Sequence, residues 1–209
     1  MNVKLVWATP NGEDLVAYMA RVSNPANQDN PETAPKLLKY LINNKHWSPF
    51  EMVNMCVEIE TTRDIARQIL RHRSFSFQEF SQRYAEVDSI DEFSEVRLQD
   101  VKNRQNSIET DDDYLKNWWA AAQLRVIEDA EWVYKQALKK GVAKEVARKV
   151  LPEGLTPSRM YMNGTLRSWM HYISIRCDGA TQKEHRLIAD QCKALLVAQY
   201  PSLEGMLNG

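Results

Sequence analysis

Residues 71–84 read Arg-His-Arg-Ser-Phe-Ser-Phe-Gln-Glu-Phe-Ser-Gln-Arg-Tyr, and they hold the densest set of reactive side chains in the chain. Three arginines, a histidine, a glutamate and several hydroxyls stand side by side. Guanidinium forks stay charged and pair with planar oxyanions, so the stretch suits a phosphate or another polyanion. It holds too little glycine for a backbone cradle, so side chains must do the gripping. Phe75, Phe77 and Phe80 interrupt the charges and would tie the segment to a core or a subunit interface. The plain alternative is a solvated, charge-rich turn.

Further candidates lie on either side. Arg67, Gln68 and Arg71 stand three and four residues apart, which places them on one region of a helix surface. Arg167 and His171 are four apart and face the same way, with Arg176 beyond them. A surface basic pair, or a histidine satisfied in the core, explains that pattern equally well. Arg176 and Arg148 also sit where a cation complements a helix C-terminus.

These groups need elements to position them. Val3, Leu5 and Trp7 alternate with Asn2, Lys4 and Val6 and predict a first strand. Asn11 is placed to cap a helix carrying Leu15, Tyr18, Met19 and Val22, which Asn24-Pro25 ends. Residues 26–35 read as a loop, and Leu37, Leu38, Leu41 and Ile42 as a helix stopped at Asn43-Asn44. Val53, Met55, Val57 and Ile59 give the clearest strand signal. Thr61 or Thr62 then caps a helix with Ile65, Ile69 and Leu70 as its apolar stripe. Residues 71–84 and 99–113 read as loops. Helices are expected over 114–139, ending at Gly141, and over 143–150, stopping at Pro152. Ser158–Met162 reads as a strand, Thr165 starts a helix holding Arg167, His171 and Arg176, and a last helix spans 182–199. Strands and helices mixed in this way predict one α+β domain over residues 1–209.

Composition narrows the chemistry. Of 209 residues, 44% are hydrophobic and 26% charged, with a net charge of −1, which argues against a dedicated nucleic-acid binder. No apolar run reaches membrane-spanning length, and Met1–Trp7 lacks a long apolar leader core. Cys56, Cys177 and Cys192 are odd in number and carry no CxxC spacing, so a reducing cytoplasm fits best. His46, His72, His171 and His185 form no HExxH or HxH pattern, and no metal site is expected. GxSxG, GxxxxGK[ST] and GxGxxG are all absent.

Arg71-His72-Arg73, followed by Ser76, Glu79, Ser81 and Arg83, resembles the RHRxxSxNExSxR signature of flavin-dependent thymidylate synthases, the ThyX family. Gln78 stands where the signature has Asn, and keeps the amide on a longer stem. The segments His46–Glu51, Ala66–Gln68, Ala147-Arg148 and Gly164–His171 are also similar to that family. The resemblance implies a ThyX-type fold with a central mixed or antiparallel sheet and long helices, assembled as a homotetramer with sites at subunit interfaces. It implies FAD beside dUMP, with 5,10-methylenetetrahydrofolate as one-carbon donor and NADPH as reductant.

Read onto this sequence, the resemblance gives Ser48, Arg71, His72, Arg73, Glu79, Thr165, Leu166, Arg167 and His171 to FAD. It gives Gln68, Ile69, Leu70, Arg71, Glu79, Phe80, Ser81, Gln82, Arg83, Arg148 and Arg176 to dUMP, with residues 79–83 coming from a neighbouring chain. Arg176 would stabilise charge developing on the uracil ring as C5 and C6 react, so that no protein nucleophile is needed. The expected activity is dUMP to dTMP methylation. Two other readings stay open: a nucleotide- or RNA-binding module, and an enzyme acting on another pyrimidine nucleotide.

Overall fold

A computed structural model describes residues 1–88, 90 and 93–207. In chain order the elements begin with β1 (Asn2–Ala8), α1 (Gly12–Ala20), α2 (Ala34–Asn43), β2 (Asn54–Thr62), α3 (Arg63–Ile69) and β3 (Ser76–Glu79). They continue with β4 (Arg97–Gln99), β5 (Ser107–Glu109), α4 (Asp113–Lys139), α5 (Lys144–Ala147), β6 (Pro157–Thr165), α6 (Leu166–Arg176) and α7 (Lys183–Gln199). The architecture is α+β, as expected. Its residues form two compact units: a sheet unit of residues 2–59, 71–78 and 161–209, and a helical unit of residue 1 with 60–70 and 79–160. The main sheet has the order β1-β2-β6-β3.

In the sheet unit, α1 ends two residues earlier than its apolar spacing predicts, leaving Val22 exposed in a turn. Asn11 does occupy the N-cap position, but in the left-handed conformation at φ 51°, and its side chain caps nothing. The stretch 26–35 is not plain loop: 3₁₀ turns at Pro25–Asn27 and Pro31–Thr33 lead directly into α2. A 3₁₀ turn at Ser48–Met52 precedes β2. Val53, Met55, Val57 and Ile59 are fully buried, and Cys56 on the other face is nearly so. Trp169 of α6 donates its indole N–H to the Met55 carbonyl at 2.9 Å, inside this core. A buried donor and acceptor satisfied in one bond avoid a desolvation cost of about 1–3 kcal/mol each.

In the helical unit, Asp112 caps α4 by accepting from the Leu115 N–H at 3.0 Å. The chain then turns at Gly141, where φ is +82°, a left-handed stop that glycine adopts without steric cost. Ile127 and Ala130 of α4 pack with Ile90, Leu151 and Leu155. The region expected to be irregular at 99–113 contains a hairpin, with Arg97 opposite Glu109 and Gln99 opposite Ser107. Polar residues on strands this short leave no period-2 signal. The helix expected over 143–150 divides into α5 and a 3₁₀ turn, Arg148–Val150.

Candidate functional site

The segment at 71–84 is not the loop its composition suggests. Ser76–Glu79 forms an edge strand, β3, and the chain passes from the sheet unit to the helical unit between Gln78 and Glu79. The candidate residues therefore fall into two clusters, one in each unit.

In the sheet unit, α6 sets the geometry. Thr165 stands at its N-cap in extended conformation and accepts from the Ser168 N–H at 3.3 Å, as the sequence leads one to expect. The same hydroxyl donates to Glu51 at 2.8 Å, and Arg167 Nη1 donates to the other Glu51 oxygen at 2.7 Å. Arg167, foremost, holds the Glu51 carboxyl below its usual range against the opposing effect of burial. Ser168 Oγ reaches back to the Ser74 carbonyl at 3.1 Å and ties the arginine segment to α6. Phe75 packs edge-on against Trp169 at 4.8 Å. Gly164 permits this approach, since a Cβ there would stand 2.4 Å from the Phe75 ring.

His72 sits half-buried at the other end of α6. Its ring meets Tyr172 edge-on at 4.9 Å, and Arg176 Nε donates to its Nε2 at 2.9 Å. An imidazole nitrogen that accepts must be unprotonated, so His72 is neutral with its proton on Nδ1. Burial first, then the charges of Arg176, His171 and Arg71, push its pKa down to about 4. Behind it, fully buried His185 shares a 3.1 Å hydrogen bond with the Tyr172 hydroxyl, and burial pushes His185 down to about 3.

A cavity of about 750 Å³ opens beside this cluster. Its lining is mixed, with Glu51, Thr165, Arg167, His171 and Ser174 polar and Trp47, Met170 and Leu207 apolar. A lining of both kinds at this volume suits a large planar ligand carrying polar substituents. The chemistry of this donor set fits a flavin: aromatic and thioether surface for a ring system, hydroxyls and cations for its polar chain.

Of the residues assigned to a flavin, Thr165, Arg167 and His171 line the cavity. Arg71, Arg73 and Ser48 are exposed in the same unit. Leu166 is fully buried with its N–H given to the Val53 carbonyl at 2.8 Å. Glu51, Ser74 and Ser168 were not singled out by type or spacing. Glu51 was legible only as the last residue of the His46–Glu51 segment.

The helical unit holds the other cluster. Glu79 accepts from Ser158 Oγ at 2.7 Å and lies 3.7 Å from Arg63 Nη1. Ser81, Gln82 and Arg83 form a tight turn in which the Tyr84 and Ala85 N–H groups both donate to the Ser81 carbonyl at 3.1 Å. Gln82 is 3% exposed, and its Nε2 has no partner among the described residues. Arg83 pairs with Glu145 at 3.4 Å, an exposed pair of the kind that exchanges readily for a better anion. Arg67 is ion-paired with Glu153. Gln68, Leu70 and Arg148 are half-buried, whereas Ile69 is fully buried with its side chain in the core.

Cys56 and Cys192 are buried, and burial raises both thiols above their ordinary value. Burial and Asp190 push Cys177 up to about 12. All three therefore stay protonated at neutral pH. Among the described residues no three His, Cys, Asp or Glu side chains are grouped to hold a metal ion.

A family model described as thymidylate synthase complementing protein matches residues 4–202. A probable flavin-dependent thymidylate synthase of Paramecium bursaria Chlorella virus 1 is 47% identical over 215 residues, covering 100% of this chain and 99% of the relative. The flavin-dependent thymidylate synthase of Synechocystis is 53% identical over 196 residues, covering 94% and 89%. Among solved structures, the UMP/dUMP methylase PolB of Streptomyces cacaoi, bound with 5-Br dUMP, matches with a TM-score of 0.84 at 27% identity, covering 98% of this chain and 93% of that one.

Proposed function

The chain belongs to the thymidylate synthase complementing protein family, and from that premise we propose that it is a flavin-dependent thymidylate synthase that methylates dUMP to dTMP. The carbon comes from 5,10-methylenetetrahydrofolate, which leaves as tetrahydrofolate, and NADPH is the terminal reductant. The observation that carries this reading is the convergence of Arg71, His171 and Arg176 on a neutral His72, beside a cavity whose walls fit a flavin.

Thr165, Arg167 and His171 would hold the FAD, with Arg71, His72 and Arg73 on the same unit and Ser48 and Leu166 at its margin. Bound flavin, once reduced, supplies the hydride that completes the methyl group. Arg176 spends its Nε on His72, which leaves Nη1 and Nη2 free of that bond to face the uracil ring. A fixed cation there stabilises negative charge as it develops at N3 and O4. Three thiols held in the protonated form fit a route that uses no protein nucleophile.

For the dUMP phosphate we propose Ser81, the Gln82 backbone and Arg83, with Glu79 and Phe80 adjoining them. The orphaned, buried Gln82 Nε2 supports a polar partner at this turn. Gln68, Arg148 and the backbone of Ile69 and Leu70 complete the set. Residues 1–209 act as one catalytic domain, which the single family match over residues 4–202 supports. The assembly is a homotetramer in which residues 79–83 serve a neighbouring chain's site. Tyr114, Trp118, Leu124 and Trp132 of α4 are all at least 46% exposed, the kind of apolar surface that partner chains cover. Three free cysteines suit a reducing cytoplasm, and no described helix is long and apolar enough to cross a membrane.

The experiment is direct. Purified protein should carry a flavin absorbance spectrum and oxidise NADPH faster when dUMP is added. A colourless protein with no dUMP-dependent turnover would refute the reading. One observation favours a second substrate: the structural neighbour is a methylase of UMP as well as dUMP. Comparing dUMP, UMP and dCMP as substrates separates these.

A further inference from the structure

We propose that His72 is a positioning residue, a neutral acceptor that fixes the Arg176 guanidinium through the 2.9 Å bond from Arg176 Nε to His72 Nε2. The inference rests on the proposed role of Arg176, and it adds how that side chain is held. An arginine has several rotatable bonds, and a cation that must meet charge at a defined ring position gains from being held before the reaction. A bond from Nε fixes the plane of the fork and leaves both terminal nitrogens outside it.

A neutral acceptor is the appropriate partner here. A carboxylate would offset part of the positive charge that Arg176 is meant to offer. An imidazole accepts a hydrogen bond and leaves that charge in place. The surroundings of His72 keep it neutral. Desolvation disfavours a second cation there, and the positive charges of Arg176, His171 and Arg71 add to that effect.

The ring is itself braced. Tyr172 meets it edge-on at 4.9 Å and 80°, Phe75 at 6.5 Å and 87°, and His185 at 6.2 Å and 85°. Tyr172 is in turn fixed by its 3.1 Å bond to His185. This stack buries one side of the imidazole in aromatic edges and presents Nε2 to the end of α6. His72 thus serves Arg176 with its side chain, while its carbonyl accepts from the Phe75 N–H at 3.2 Å and holds the turn that carries it.

The test uses the whole flavin-loaded enzyme and three variants. His72→Leu keeps apolar bulk and removes the acceptor, and kcat should fall about ten- to a hundredfold with KM for dUMP changing much less, as loss of a bond to a charged group implies. His72→Gln offers an amide oxygen and should recover part of that loss. In the cycle with Arg176→Ala, the double variant should be no slower than Arg176→Ala alone, because one side chain acts through the other. The proposal is overturned if His72→Leu keeps kcat within about threefold, if Gln rescues nothing, or if the two losses multiply.

A readout independent of turnover accompanies these. Nitrogen-15 NMR of the histidine ring should show His72 as the Nδ1–H tautomer, with its Nε2 signal perturbed in Arg176→Ala. An Nε2–H tautomer, or no response to Arg176→Ala, sinks the proposal even if every variant is slow. If Arg176→Ala itself retains full turnover, the role given to Arg176 has failed, and the NMR signature alone decides whether His72 holds the guanidinium.

Discussion

Replacing Gly164 with alanine should destabilise the protein and disturb the site at once. A Cβ built there would lie 2.4 Å and 2.5 Å from two Phe75 ring carbons and 3.2 Å from a third, where contact normally needs about 3.5–4 Å. The ring must therefore move by about 1 Å. It has little room, because it is 9% exposed and packs against Trp169 at 4.8 Å, Tyr172 at 5.9 Å and His72 at 6.5 Å. Overpacking of this kind costs about 1–3 kcal/mol. For a chain of this size each kcal/mol lowers Tm by about 2–4 °C, so a fall of about 2–12 °C is expected in a thermal melt. Gly154→Ala, where a Cβ meets nothing within 4 Å, should stay within about 0.5 kcal/mol of the parent. Displacement of Phe75 also presses on His72, so the Gly164 variant should lose turnover beyond what its folded fraction explains. A melt within 1 °C of the parent, roughly the error of such comparisons, would refute the packing argument.

Other outcomes follow from the same geometry. Arg176→Ala should keep the parent Tm and lose about 10²–10³-fold in kcat, measured with saturating dUMP. Trp169→Phe removes the 2.9 Å bond to the Met55 carbonyl and strands a buried acceptor, costing about 1–3 kcal/mol in urea unfolding. Glu51 has a lowered folded pKa, so its contribution is complete above its ordinary value near 4.5 and is lost as pH falls through the folded value; flavin retention should therefore hold from pH 7 down to about 4.5 and drop only below that, with Glu51→Gln weak throughout. His185 is neutral when folded down to about pH 3 but titrates near 6.5 when unfolded. The unfolded state thus binds more protons below 6.5, and Tm should decline from there towards pH 4 more steeply in the parent than in His185→Phe.

The sequence revealed the parts of this molecule that depend on local patterns. Strand β2 and helix α4 were legible because their apolar residues repeat with the right period, and Thr165 was legible as a cap because its hydroxyl has one obvious use. Strand β3 was not, because Ser76, Gln78 and Glu79 look like loop and owe their extended form to pairing with β6, which begins only at Pro157. The contacts of Glu51, legible only as the end of the His46–Glu51 segment, were hidden for a related reason. Its partners Thr165 and Arg167 lie 114 and 116 residues away, so no spacing rule connects them. The link between Arg176 and His72, 104 residues apart, belongs to the same class. Residue type suggested Arg167, His171, His72 and Arg176, and only tertiary structure pairs them with one another and with Glu51.

The order of the main sheet bears on how the protein is made. β6 lies between β2 and β3, so the two earlier strands leave the ribosome long before the strand that joins them. Until Pro157–Thr165 has been translated, β2 can pair only with β1, and the arginine-rich segment has no partner strand. Closure of the sheet therefore waits for the emergence of β6 and depends on contacts distant in sequence, which are slow to form. During that interval the apolar face of β2 is incompletely covered. A nascent chain stalled before β6 should accordingly bind chaperones strongly, and one stalled after α7 has left the exit tunnel should release them.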